Sequence, residues 1–257
     1  MFPAHQAKPV VLVTGGAKRI GRHICLALAR QGWRVAVHYN QSRDEASELV
    51  GQLQGISDDA LAVAADLSQP PQIEKLVQEV VDHFGQINAV VNNAALFEYD
   101  SASSVSEEKL LQHMQVNLLS PILLAQRLHE NIPEGQMGCV INLLDQKLFN
   151  LNPDFFSYTL SKSALQTATT MMAMALAPKL RVLGIAPGLS LLSGDQTESN
   201  FRTAHTKTVL NKSSTPEDVA NTVAFALGCQ AITGSVIVVD GGQHLVPLAR
   251  DVMFVVE

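Results

Sequence analysis

Along the chain, short runs of apolar and often β-branched residues alternate with longer stretches whose apolar positions recur every three or four residues. The runs lie at 10–14, 35–39, 60–64, 89–92, 140–144, 182–186 and 236–239. Helical spacing follows over 20–29, from Arg43 onward, over 73–84 and over 107–130. Strands that are apolar on both faces must be covered on both, which predicts a parallel sheet between two helical layers. The expected fold is α/β, a doubly wound, Rossmann-like sheet of seven parallel strands. No composition shift or Gly/Ser/Pro linker divides the sequence, so residues 1–257 read as a single domain.

Two stretches fall outside this rhythm. Residues of about 188–215 are rich in Ser, Thr, Asn and Gly and form the longest irregular segment. They leave the carboxyl end of a strand, where a doubly wound sheet binds its ligands, and are expected to form a substrate lid. The tail, 248–257, ends in an apolar run after Arg250 that is ill suited to a free end. It is expected to pack on a neighbouring subunit.

Composition narrows the choice of partner. The 257 residues are 47% apolar and 16% charged, with a net charge of −6, which argues against nucleic acid or an anionic membrane as the main partner. The first ten residues have neither a secretory h-region nor a transit-peptide pattern, and no apolar run approaches the about 20 residues of a membrane span. A cytoplasmic protein with a small-molecule substrate is expected. Cys25, Cys139 and Cys229 lie far apart without C-x-x-C or metal spacing, so buried free thiols and no metal are expected. His83, His113 and His129 fall on predicted helices, also without ligand spacing, and read as surface or structural positions.

The first run leads into Thr14-Gly-Gly-Ala-Lys-Arg-Ile-Gly21, a glycine turn that opens a helix. Such a turn lets backbone N–H groups approach a phosphate while the helix N-terminus favours negative charge. Gly15, Lys18, Arg19, Ile20 and Gly21 are therefore cofactor candidates. An NAD site of this kind usually has an acid after the second strand. Here the strand ends in His38, Tyr39, Asn40, Gln41, Ser42 and Arg43, with no acid before Asp44. Together with Lys18 and Arg19 this suits a 2′-phosphate, so NADPH is expected rather than NADH. Ser42 also heads a capping box with Glu45, a competing role for its side chain.

Tyr158 and Lys162 lie one turn apart on one helix face. A tyrosine with a reference pKa of about 10 is a poor proton carrier near neutrality, and a nearby ammonium lowers that value. The pair is the candidate general acid/base.

These motifs, with Asp66-Leu67 after the third strand, Asn92-Asn93-Ala94 after the fourth, Asn117 in the next helix, Pro187-Gly188 and the 232–242 segment, resemble the short-chain dehydrogenase/reductase family over nearly the whole chain. The resemblance implies that Asp66 and Leu67 contact adenine, that Asn93 and Ala94 sit against the cofactor ribose, and that Pro187 and Gly188 complete the cofactor site. It also implies a proton-relay role for Asn117 near Lys162, and a homotetramer built on the helices around Asn117 and after Tyr158.

Two departures point to one branch. Most members carry a third glycine where this chain has Arg19, and a catalytic serine thirteen residues before the tyrosine, where it has Asp145. Both resemble the pteridine reductases, as do Phe97, matching an aromatic on which a pterin stacks, and the lid opening with Leu189 and Ser190. A hydroxyl suits a ketone oxygen, whereas a carboxylate can accept bonds from the ring nitrogens and amine of a pterin. Arg19, Phe97, Asp145, Tyr158, Leu189 and Ser190 are the expected substrate contacts. Ala95, where relatives often carry a small hydroxyl residue, and Gln41, where many carry Arg, depart from that pattern. The expectation is an NADPH-dependent reductase of a dihydropterin or related pteridine. The alternatives are a carbonyl reductase acting on an oxoacyl, sugar or steroid ketone, and a non-catalytic NADPH-binding sensor.

Overall fold

The computed structural model describes residues 8–192 and 196–255. Seven parallel strands form one sheet: β1 (Val10–Val13), β2 (Arg34–Tyr39), β3 (Ala60–Ala64), β4 (Ala89–Asn92), β5 (Gly138–Leu143), β6 (Leu180–Pro187) and β7 (Val236–Val239). Their order is β3-β2-β1-β4-β5-β6-β7. The chain builds outward from β1 on one side and then crosses to β4 on the other. That reversal opens a crevice at the carboxyl ends of β1 and β4, the place where such sheets bind ligands.

Strand alternation divides the core in two. Val11 and Val13, with Val35, Val37, Val91 and Ile141, face α1 (Arg19–Arg30), α2 (Arg43–Ser57) and α8 (Pro216–Gly228) through Ile24, Leu49 and Val223. Val10, Leu12, Val90, Val140 and Val182 face α3 (Pro70–Phe84) and α5 (Ser120–Asn131) through Leu76 and Leu124. Each such side chain is worth roughly 1.5–3 kcal/mol when fully buried, so both layers hold the sheet rigid.

The helix expected over 107–130 is interrupted. It runs as α4 (Glu107–Met114), a π turn (Gln115–Leu119) and α5. A π turn shifts the helix face by one residue and is common at functional sites; this one carries the buried Asn117. Ser42 occupies the N-cap position of α2 but makes no side-chain capping bond, contrary to the expected capping box. The Glu45 carboxylate, the other half of that box, turns instead to Lys18, 2.5 Å away.

The lid segment is less irregular than expected, since it contains α7 (Glu198–His205), capped by Thr197 accepting from Asn200 N–H. Residues 193–195 of that segment lie outside the described residues. The tail, expected to pack on a neighbouring subunit, makes its contacts here within its own chain. After Leu248 it folds over its own chain, and Val252, in the short α9 (Val252–Val255), joins Leu189, Ala204 and Leu248 in a small apolar cluster. Arg250 clamps it with Nε and Nη2 on the Asp154 carboxylate at 2.7–3.0 Å. Residues 256–257 of the tail lie outside the described residues.

Cys25 and Cys139 are buried, and burial pushes the Cys139 thiol up to about 11; Cys229 is only half-buried. His83 meets Asp59 at the surface, while His113 is buried and its Nδ1 lies 2.9 Å from the Lys109 carbonyl.

Candidate active site

The glycine turn is shaped by contacts that leave no room for a side chain. Gly15 has φ +59°, and a Cβ on Gly21 would stand 2.3 Å from the Gly15 carbonyl oxygen. Arg19, at the position of the expected third glycine, has φ +52°, a left-handed conformation that costs a non-glycine residue about 1–2 kcal/mol. Its guanidinium reaches across to the segment after β6 and donates to the Leu192 carbonyl at 2.9 Å.

One residue that supports this turn from β2 escaped the sequence reading. His38 is buried and its Nδ1 accepts from Gly15 N–H at 3.0 Å, so the proton sits on Nε2, which donates to the Ala65 carbonyl at 3.0 Å. Burial holds its pKa down at about 4, keeping the ring neutral. From sequence it was one more residue of an apolar strand; the signal was a polar side chain at an inward position opposite the glycines.

The turn is also tied to β4. The Thr14 hydroxyl accepts from the N–H groups of Asn93 and Ala94, both at 3.0 Å, and Asn93 Nδ2 donates to the Thr14 and Gly15 carbonyls. Asn93 thus braces the turn as well as lining the cleft. The first turn of α1 holds no acid, and its N-cap, Lys18, makes no side-chain cap. Helix N–H groups left in that state suit an anion. Beside them Tyr39, Asn40, Gln41 and Ser42 line, with Lys18, a hollow of about 330 Å³ that has no carboxylate in its wall. The residues present therefore fit a dinucleotide carrying a 2′-phosphate. Asp66 and Leu67 border neither this hollow nor the main cleft: Asp66 Oδ1 accepts from Ser68 N–H, and Leu67 packs in the core.

The main cleft, about 590 Å³, runs from the glycine turn to the tail and is lined by Lys162, Pro187, Gly188 and the remaining catalytic and substrate candidates except Asn117. Tyr158 Oη donates to Asp145 Oδ2 at 2.8 Å, and Asp145 Oδ1 accepts from Lys147 N–H at 2.8 Å. Asp145 is brought there by the end of β5, where it caps the short helix Gln146–Phe149. Tyr158 rides on the first turn of α6 (Phe156–Ala175), which Asp100 anchors by accepting from Ser157 N–H at 2.9 Å and from the Ser157 hydroxyl. The N-cap of α6, Phe155, is held at φ +54°.

Lys162 does not touch the tyrosine hydroxyl. Its ammonium donates to the Leu143 carbonyl at 2.6 Å and lies 5.8 Å from the centre of the Tyr158 ring; burial lowers its pKa to about 8. The expected lowering of the Tyr158 pKa is not found. Burial first, then the Asp145 carboxylate, push it well above the ordinary value, while burial raises Asp145 above the ordinary carboxylate range. Two neighbouring buried acids both resist ionisation, so each holds its proton more tightly than it would in water. Asn117 braces this arrangement. Its Oδ1 accepts from Leu96 N–H at 2.7 Å, and its Nδ2 donates to the Leu96 carbonyl and to Ser161 Oγ, one residue before Lys162.

At the far end Phe97 is 39% exposed. Its ring stacks on Phe155 at 4.3 Å and 18°, and meets Tyr158 edge-on at 4.7 Å. Phe155, another residue the sequence reading missed, fixes the tilt of the platform. Leu189 and Ser190 form the lid side, Ser190 Oγ being tied to the Gly188 carbonyl at 3.0 Å and to Ser214 Oγ at 2.7 Å. Asp251, Val252 and Met253 of the tail close the end. Nothing in the sequence marked the tail as part of the site, because its contacts are made with residues about a hundred positions away.

A family profile described as Enoyl-(Acyl carrier protein) reductase matches residues 15–244. The chain is 40% identical to a solved structure of FolM Alternative dihydrofolate reductase 1 from Brucella canis complexed with NADP, covering 93% of this chain and 95% of that one with a TM-score of 0.87. It is 34% identical to an uncharacterized oxidoreductase of Methylorubrum extorquens, over 91% of this chain and 96% of that protein. It is 29% identical to the 3-oxoacyl-[acyl-carrier-protein] reductase of Staphylococcus epidermidis, over 91% and 98% respectively.

Proposed function

The chain belongs to the short-chain dehydrogenase/reductase family, and we propose that it is an NADPH-dependent reductase of the pteridine reductase type, acting on a dihydropterin or related pteridine. The observation that carries this reading is the Tyr158–Asp145 hydrogen bond, 2.8 Å long, beside the exposed face of Phe97. A ketone reductase needs a neutral hydroxyl donor where this chain has a carboxylate. The solved Brucella protein named for dihydrofolate reduction, 40% identical, supports the same reading.

NADPH supplies the hydride when bound. The α1 N-terminus, Lys18 and Arg19 hold its phosphates, and the hollow formed by Tyr39, Asn40, Gln41 and Ser42 takes the 2′-phosphate. Lys18 then exchanges its exposed partner Glu45 for the phosphate. A pterin lies on the open face of Phe97, a stacking that orients a flat heterocycle without selecting its substituent. Tyr158 Oη turns its proton to the ring nitrogen next to the carbon being reduced. Asp145, whose proton affinity is raised by burial, resupplies Oη along their hydrogen bond. Lys162 keeps a positive charge beneath the pair, and Asn117 holds that floor in place.

The protein is read as a cytoplasmic homotetramer. Met171 and Met174 on α6 are 63% and 78% exposed, and Phe225 on α8 is 60% exposed, apolar surface that subunit contact would cover. No helix among the described residues is long and apolar enough to cross a membrane.

The test is NADPH oxidation followed by absorbance against dihydrobiopterin, dihydrofolate and a set of ketones. Turnover of a pterin without ketone turnover is expected, and Asp145→Ser should lower it by about 10²-fold, the low end for a proton-transfer group. Turnover of ketones alone would return the protein to the carbonyl reductases, in keeping with its 29% identity to a 3-oxoacyl reductase. NADPH binding with no turnover at all would make it a sensor.

A further inference from the structure

The tail brings a second carboxylate to the cleft. Asp251 borders the open space near Asp145, with its side chain 16% exposed. Its Oδ2 lies 3.0 Å from Lys147 Nζ and its Oδ1 accepts from Met253 N–H at 3.2 Å. Lys147 is buried, and its ammonium also donates to Asn152 Oδ1 at 2.5 Å and sits 5.4 Å from the centre of the Phe155 ring. Lys147 also lines the cleft, but its ammonium is already engaged by an amide, a carboxylate and an aromatic face, which leaves it little charge to offer a ligand's carboxylate. What the tail presents to the cleft is the edge of Asp251, followed by Val252 and Met253.

The chemistry decides what meets that edge. In a 6-substituted dihydropterin, reduction places the hydride on the ring carbon that bears the substituent and the proton on the adjacent nitrogen. The substituent therefore begins at the reacting centre, next to Tyr158 and Asp145. Asp251 is close enough to both to raise their proton affinity. A substituent ending in carboxylates would bring like charge toward an anion whose countercharge is engaged, in a partly dry site where repulsion is weakly screened. A hydroxylated, uncharged substituent can instead donate to Asp251.

We propose that Asp251 is a specificity-determining residue that selects against substrates whose ring substituent ends in a carboxylate and favours uncharged, hydroxylated ones. This rests on the pterin reading of the site above.

The measurement is the ratio of kcat/KM for dihydrofolate to that for dihydrobiopterin, taken for the wild type, Asp251→Asn and Asp251→Glu at low and high salt. Asn keeps an oxygen for Lys147 and removes the charge; Glu keeps the charge. The ratio is expected to rise by about tenfold in the Asn variant, as for loss of one like-charge contact of about 1.4 kcal/mol, and to stay near wild type with Glu. In the wild type the ratio is expected to rise with salt as the repulsion is screened. A purely structural role would shift both substrates together and leave the ratio alone. An unchanged ratio in Asp251→Asn, with dihydrobiopterin still reduced, overturns the inference. If that variant does not fold, Asp251→Ser takes its place, and an unchanged ratio there overturns the inference instead. A wild type that reduces no pterin overturns the proposed function itself, and this inference with it.

Discussion

At the cofactor end of the cleft the contacts run between backbone turns that leave adjacent strands: Thr14 with Asn93 and Ala94, His38 with Gly15 and Ala65. At the substrate end they run between side chains of segments outside the sheet: Arg250 on Asp154, 96 residues apart, and Asp251 on Lys147, 104 apart. The first arrangement follows once the sheet forms, because β1, β2 and β4 carry the groups into register. The second depends on a few charged latches and can be rebuilt without disturbing the core. A fold can therefore keep one cofactor while its substrate end is altered.

Tyr158→Phe is the strongest way to separate the two ends. It removes the proton donor and the bond to Asp145 but touches nothing in the glycine turn. Catalysis is expected to fall by about 10²–10⁴-fold while NADPH affinity, measured by fluorescence titration, stays within about threefold. An equal loss of both would mean that the ends are coupled.

Gly21→Ala strikes the opposite end. Its Cβ would stand 2.3 Å from the Gly15 carbonyl, so backbone must move. Overpacking of this kind costs about 1–3 kcal/mol, and NADPH affinity should drop by about tenfold or more, the larger share appearing in the cofactor's dissociation constant. An unaltered constant would show that the turn is looser than its contacts imply.

The pH profile tests the floor between the ends. The Lys162 pKa is lowered to about 8, and the charged form is the one that eases proton release from Tyr158 by favouring the negative charge left behind. As pH rises through about 8 the ammonium is lost, so kcat/KM for the pterin is expected to decline there, well below the ordinary lysine range. A profile flat to pH 10 would remove Lys162 from the proton chemistry.

What could be read from sequence divides along the same line. The seven strands, the glycine turn and the Tyr158–Lys162 spacing were legible because each is local: a period, a run of glycines, one helical turn. The family and the fold were borne out. His38 and Phe155 were not found, since their roles depend on what lies opposite them in space, and neither composition nor period records that. The Tyr158 pKa was misjudged for a related reason. Spacing placed an ammonium nearby, but only the structure shows that it is spent on the Leu143 carbonyl while Asp145 faces the hydroxyl.

Arg19 belongs to both ends, and its replacement by Gly gives the smallest and most discriminating effect. The residue sits at φ +52° in the phosphate turn while its guanidinium reaches the Leu192 carbonyl of the lid. Glycine relieves a left-handed strain of about 1–2 kcal/mol in the folded chain. It also loosens the unfolded chain by about 0.4–1 kcal/mol, which offsets much of that gain. Stability should therefore change by no more than about 1 kcal/mol, and Tm by about 2–4 °C at most. Binding should nevertheless suffer at both ends, with a weaker NADPH dissociation constant and a raised KM for the pterin, each by severalfold. That combination would mean the strain is held for ligand binding rather than for the fold. A fall in Tm well beyond that range, with binding intact, would instead make Arg19 a structural tie between turn and lid, and the two ends one mechanical unit.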